Sequence, residues 1–134
     1  MQLNVQSVKR TARALNWGIA PEVGMIARLW HGRTRARDYD TYWAFLRDRA
    51  IPDYRHTPGN QGVRLFRRLD GDQAHFLTLS YWVSLEAIRG FAGADIAVAK
   101  YYPEDRQYLL EFEPTVQHYE VTDTDAIGLD TAGA

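Results

Sequence analysis

Cysteine is absent from the 134 residues, which rules out disulfides, thiolate zinc sites, iron–sulfur clusters and a cysteine nucleophile together. Lysine-rich clusters are missing too. The basic residues are nearly all arginine, scattered among acids to a formal net charge of -1, so neither nucleic acid nor an anionic membrane is the expected principal partner. No apolar run approaches the roughly 20 residues of a membrane span. No two histidines stand at a metal-ligand spacing such as i, i+4 with a neighbouring glutamate, and no metal site is expected.

The first 21 residues contain no acid and carry Lys9, Arg10 and Arg13. They lack the unbroken apolar stretch of about 7–15 residues that a secretory signal requires. Val5, Val8, Ala12, Leu15 and Ile19 recur at spacings of three and four, the pattern of an amphipathic helix. The expected location is cytoplasmic. What remains is ordinary for a folded domain, with 46% hydrophobic and 25% charged residues. The length fits one domain with a core of its own. The organisation expected is an N-terminal helical extension (1–23), a central domain (24–122) and a polar tail (123–134).

In the central domain, "MIARLWHG" reads as a strand with apolar side chains on both parities: Met25, Ala27 and Leu29 against Ile26 and Trp30. "RDYDTYWAFLRDRA" reads as a helix opened by Asp38 or Asp40. Pro52 lacks the N–H that the helical ladder needs, so the helix is expected to end or kink near Ile51. "GVRLFRRL" and "AHFLTLSYW" flank an Asp-Gly turn, a hairpin signal. Ser84 is positioned to cap a second helix, "LEAIRGFAG", and "ADIAVAKYY" is expected to add a short helical piece. Pro103 ends that piece, with Glu104 and Asp105 as first-turn acids of the next. "TVQHYEV" closes the pattern as a strand.

The order is βαββαβ. It predicts an α+β, ferredoxin-like fold with a four-stranded antiparallel sheet and both helices on one face. Two helices leave the other sheet face bare. Because the first strand is apolar on both sides, a second copy is expected to cover that face, giving a homodimer.

Several of these stretches together, "MIARLWHG", "PDYRHTPGNQGVRLFRR", "FLTLSYWVSLEAIRGFAG" and "YYPEDRQYLLEFEPTVQHYEV", resemble the antibiotic biosynthesis monooxygenase superfamily, whose members are dimeric α+β barrels. The most specific piece is Trp-x-Ser-x-Glu-Ala, from Trp82 to Ala87. The resemblance implies a homodimeric barrel that binds a small apolar or aromatic ligand. The implied activity is a monooxygenase working without metal or flavin on a quinol-like substrate. The alternatives are a non-catalytic ligand-binding or stress-related barrel and a haem-binding member. The haem-degrading branch places an asparagine, a tryptophan and a histidine where this chain has Trp30 or His31, Phe91 and Tyr101, and none of the three matches.

The candidate catalytic residues are His31, His118 and Tyr101. A neutral imidazole is suited to draw a phenolic proton, and a tyrosine hydroxyl to stabilise an oxyanion. His118 shares a parity with Glu120, a carboxylate able to orient it. Trp30, Trp82, Phe91 and Tyr102 are the candidate ligand-binding side chains. Each has a plainer role as well: a strand-end histidine bonded to a carbonyl, or an aromatic ring simply buried in the core.

Overall fold

The computed structural model describes residues 24–123; the expected N-terminal helix and nearly all of the polar tail lie outside them. Four strands form one antiparallel sheet: β1 (Ile26–Arg35), β2 (Asn60–Asp70), β3 (Gln73–Trp82) and β4 (Gln117–Glu120), in the order β2-β3-β1-β4. Between β1 and β2 lie α1 (Tyr39–Phe45) and α2 (Ile51–His56), and after β3 comes α3 (Leu85–Ala92). This is the ferredoxin-like arrangement that the element order predicts.

Pro52 does not end the first helix. The five residues Leu46–Ala50 that join α1 to α2 are π-helical, and the Ile51 N–H donates to the Leu46 carbonyl five residues back. Widening the turn this way accommodates a proline that has no N–H to give. The chain therefore continues helically to His56, and Tyr54 is carried onto the sheet. Ser84 caps α3 as expected, its Oγ accepting the Ala87 N–H at 3.1 Å. Gly59 sits at φ +93°, and a Cβ there would stand 2.4 Å from the Ala87 Cβ; the turn into β2 packs that closely against α3.

The stretch expected to form a second short helix before Pro103 is instead extended. Val98 bridges Thr115, the Ala99 N–H donates to the Pro114 carbonyl, and the Val116 N–H to the Ala97 carbonyl. Gly93, at φ +103°, turns the chain out of α3, and Arg28 fixes the new course. Its guanidinium, 1% exposed, donates to the Ile96 and Val98 carbonyls. Tertiary hydrogen bonds here override a local helical pattern.

Strand alternation sorts the sheet into two faces. Ile26, Arg28, Trp30 and Thr34 of β1, with Phe76, Thr78, Ser80 and Trp82 of β3, are buried beneath the helices. On the opposite face Ala27, Leu29, Leu77, Leu79 and Tyr81 run beside Phe66, which is 45% exposed, and Tyr119, which is 51% exposed.

Candidate functional site

Where α1, α2, α3 and the chain entering Pro103 converge on the covered face, a cleft remains. Trp30 and Thr78 form its sheet wall. Tyr42, Leu46, Ala50 and Tyr54 close it from the first helix, Phe91 from α3, and Lys100, Tyr102 and Asp105 from the segment above. Its empty volume counted out to the mouth is about 300 Å3, part of it open to solvent. A flat ring enters only if the rim side chains Lys100 and Tyr102 swing aside; both are only part-buried.

The rim carries the charge. Lys100 Nζ lies 2.8 Å from Asp53 Oδ2, donates to the Phe91 carbonyl at 3.1 Å, and stands 4.4 Å from the centre of the Phe91 ring. The Tyr102 hydroxyl donates to the same Asp53 oxygen at 2.6 Å. Burial opposes ionisation of Asp53, but the hydrogen bonds from Lys100 and Tyr102 outweigh it, and the carboxyl lies below its ordinary range. For Tyr102, burial and then the Asp53 carboxylate push the hydroxyl well above the ordinary phenol range. Tyr102 is thus a proton donor in a hydrogen bond, and Lys100 with Asp53 is the charged pair at the mouth.

Asp105 anchors the rim from below. Its carboxylate, 2% exposed, accepts the Tyr102 N–H and the Tyr42 hydroxyl, each at 2.7 Å. Burial raises its carboxyl above the ordinary value, and burial, reinforced by Asp105, raises the Tyr42 hydroxyl. Tyr54, raised by burial, meets Thr78 Oγ1 at 2.7 Å. Trp30 lies flat along β1 because residue 32 is glycine: a Cβ there would stand 2.5 Å from its indole Cη2.

The cleft gathers Trp30, Phe91 and Tyr102 from the candidates named by sequence, and leaves the other four elsewhere. Trp82 is wholly buried beside Tyr54 and Phe91, its indole N–H donating to Ser80 Oγ at 2.9 Å. Tyr101 packs edge-on to Trp30 and spends its hydroxyl on the Glu113 carbonyl at 2.6 Å. His118 points under the helices, where its Nε2 accepts from the Arg28 guanidinium at 3.2 Å. Burial, then the Arg28 charge, lowers its pKa to about 4, so it is neutral with that lone pair occupied. His31 faces the other side of the sheet, with Nδ1 2.6 Å from Glu113 and Nε2 2.9 Å from His75. The three candidate catalytic groups do not meet.

A haem does not fit these residues. Both His31 nitrogens and His118 Nε2 already have partners, and neither histidine lines the cleft.

Sequence reasoning missed Tyr42, Tyr54, Lys100 and Asp105 as lining residues, and did not place Asp53 beside Lys100. One signal was present. Lys9 and Lys100 are the only lysines in a chain that otherwise uses arginine, and Lys100 directly precedes two tyrosines.

No protein-family model matches the chain, and no curated protein does. Among solved structures the chain is similar to protein SO0527 from Shewanella oneidensis, with a TM-score of 0.53 and 15% identity over 75% of this chain and 93% of that one. It is also similar to Rv0793 from Mycobacterium tuberculosis, with a TM-score of 0.52 and 17% identity over 76% and 99%. At these identities the likeness establishes the α+β fold alone.

Proposed function

We propose that the protein binds a compact aromatic, quinol-like molecule in the cleft beneath the helices and oxygenates it without metal or flavin, as the resemblance to antibiotic biosynthesis monooxygenases implies. The observation that carries this is one cleft lined by five aromatic rings, Trp30, Tyr42, Tyr54, Phe91 and Tyr102, together with the ion-paired Lys100, whose ammonium faces the rings of Phe91 and Tyr102. Rings supply apolar walls for a flat ligand, and the Lys100 ammonium stabilises a phenolate or the anion that follows from it. Asp53, ionised between Lys100 and Tyr102, holds the ammonium at the mouth, where the phenolic proton passes to solvent. An electron-rich phenolate then reduces dioxygen directly. At a ring methylene the atoms balance without any further reductant: the methylene and one dioxygen give one ring carbonyl and one water. Dioxygen thus serves as both oxidant and oxygen source.

The same proposal makes the protein a cytoplasmic homodimer. Phe66 and Tyr119, with the half-buried Leu29, Leu77 and Leu79, leave an apolar sheet face that a second copy would cover.

Oxygen consumption with a panel of quinols and anthrones tests the activity. Turnover that falls at least tenfold in Lys100→Met supports it. No uptake with any substrate would refute it; if those compounds still quench tryptophan fluorescence, the result favours the non-catalytic binder. Sedimentation of the wild type and Phe66→Asp tests the dimer: a wild type that stays monomeric at micromolar concentration rejects it.

A further inference from the structure

On the uncovered sheet face four titratable side chains lie end to end, outside the cleft. Glu113 Oε2 is 2.6 Å from His31 Nδ1, His31 Nε2 is 2.9 Å from His75 Nδ1, and His75 Nε2 is 3.2 Å from Asp70 Oδ2. No local spacing reveals the arrangement. The β1–β3 register sets Arg33 opposite His75 and His31 opposite Leu77, so the two histidines are diagonal neighbours on one face.

The two rings are inclined by only 22°, with centroids 5.2 Å apart. That separation is about as long as a 2.9 Å nitrogen contact permits, so the two nitrogens point at each other. Such head-on geometry suits a hydrogen between them and has no room for a metal ion, which needs roughly 2 Å to each nitrogen.

Counting hydrogens then decides the state. Three junctions each require one. Two neutral imidazoles bring two in all, and ionised carboxylates bring none. With two hydrogens one junction must open; with four, two N–H groups would face each other across 2.9 Å. Only three hydrogens close the chain, one more than the neutral rings carry. We propose that Glu113, His31, His75 and Asp70 form a proton-binding site that holds a single extra hydrogen ion between its two imidazoles.

The surroundings are compatible with that single charge. Arg33 pairs with Glu111 and donates to the Gln73 side chain at 3.2 Å. Arg68 comes within 3.9 Å of Asp70, and Arg64 stands further along β2 on the same face. The two carboxylates of the chain outweigh these more distant cations. The proton exchanges with solvent at the Asp70 end of the chain, by the hairpin turn and away from the apolar patch around Phe66 and Leu77. When it leaves, the junction to open is the longest and most exposed, that between His75 and Asp70, whose side chain is 57% exposed. The face then becomes more negative by one charge.

Imidazole nitrogen NMR of the full-length, labelled protein across a pH series tests this. The expected result is one proton released for the two rings in a single step shared by both. A scalar coupling between His31 Nε2 and His75 Nδ1 should be present in the protonated form. In Asp70→Asn the side-chain amide can itself donate to His75 Nε2 and close the chain without an extra proton. The protonated-to-neutral ratio at fixed pH should then fall about fivefold, the scale of a partly exposed charge contact. Independent release of a proton from each ring without inter-ring coupling, or an unchanged ratio in Asp70→Asn, would overturn the proposal.

Discussion

His118 makes the fold sensitive to acid, and the size of the effect follows from its surroundings. The ring is 7% exposed and accepts a hydrogen bond from a guanidinium that is itself buried. Its pKa falls from 6.5 to about 4 through burial first and the Arg28 charge second. An unfolded chain takes up a proton at this position near the ordinary value; the folded chain resists until much lower pH. Stability is therefore complete above the unfolded value and is lost as pH falls towards the folded one. At about 1.4 kcal/mol per unit the whole interval amounts to about 3 kcal/mol, of which about 2 kcal/mol is gone by about pH 5. The assay is urea unfolding of the wild type and His118→Gln from about pH 7.5 to about pH 4.5. Glutamine retains an oxygen to accept from Arg28 but does not titrate, so the carboxylate contributions common to both proteins cancel in the comparison. The wild type should lose about 2 kcal/mol more than the variant by about pH 5. Parallel pH profiles would show that His118 is not held neutral against Arg28.

Arg28→Ala removes the two donors that hold the Ile96 and Val98 carbonyls and should cost about 3 kcal/mol in denaturant unfolding, with amide exchange rising first across residues 94–100. Gly59→Ala imposes both a left-handed backbone and a clash with Ala87. It should lower stability by about 3 kcal/mol, whereas Gly71→Ala, whose Cβ meets nothing within 4 Å, should incur only the backbone part. Tyr102→Phe deprives Asp53 of one hydrogen bond and should cost about 1–2 kcal/mol by the same measurement; an unchanged midpoint would mean that water replaces the hydroxyl without loss.

The neighbourhood of Pro103 shows how much can be read locally. A proline followed by two acids signals the start of a helical turn, and Asp105 indeed reaches back to accept the Tyr102 N–H that opens it. The Asp-Gly hairpin and the Ser84 cap are legible for the same reason: each is a hydrogen-bonding preference settled within about four residues. Strand order followed from those signals, and the four-stranded sheet with it. Pro52 marks the boundary of such reading, because whether a helix stops or widens into a π turn depends on whether Leu46, Ala50, Ile51 and Tyr54 gain more by staying buried against the sheet.

The site was less legible. Aromatic richness and the isolated Lys100 stood in the sequence, but their meeting with Asp53 depends on the path of residues 94–102, which Arg28 sets from another strand. Histidines were visible as candidates, while the alternation of β1 and β4 sends His31 to one face of the sheet and His118 to the other. The sequence by itself determined the four strands, the Asp-Gly turn and the Ser84 cap, because those choices are made by short-range hydrogen bonds and side-chain periodicity. Only the tertiary structure decided which side chains share a cleft, a face or a proton. Those contacts join residues far apart in the chain, and a shift of one residue in strand register would exchange every one of their partners.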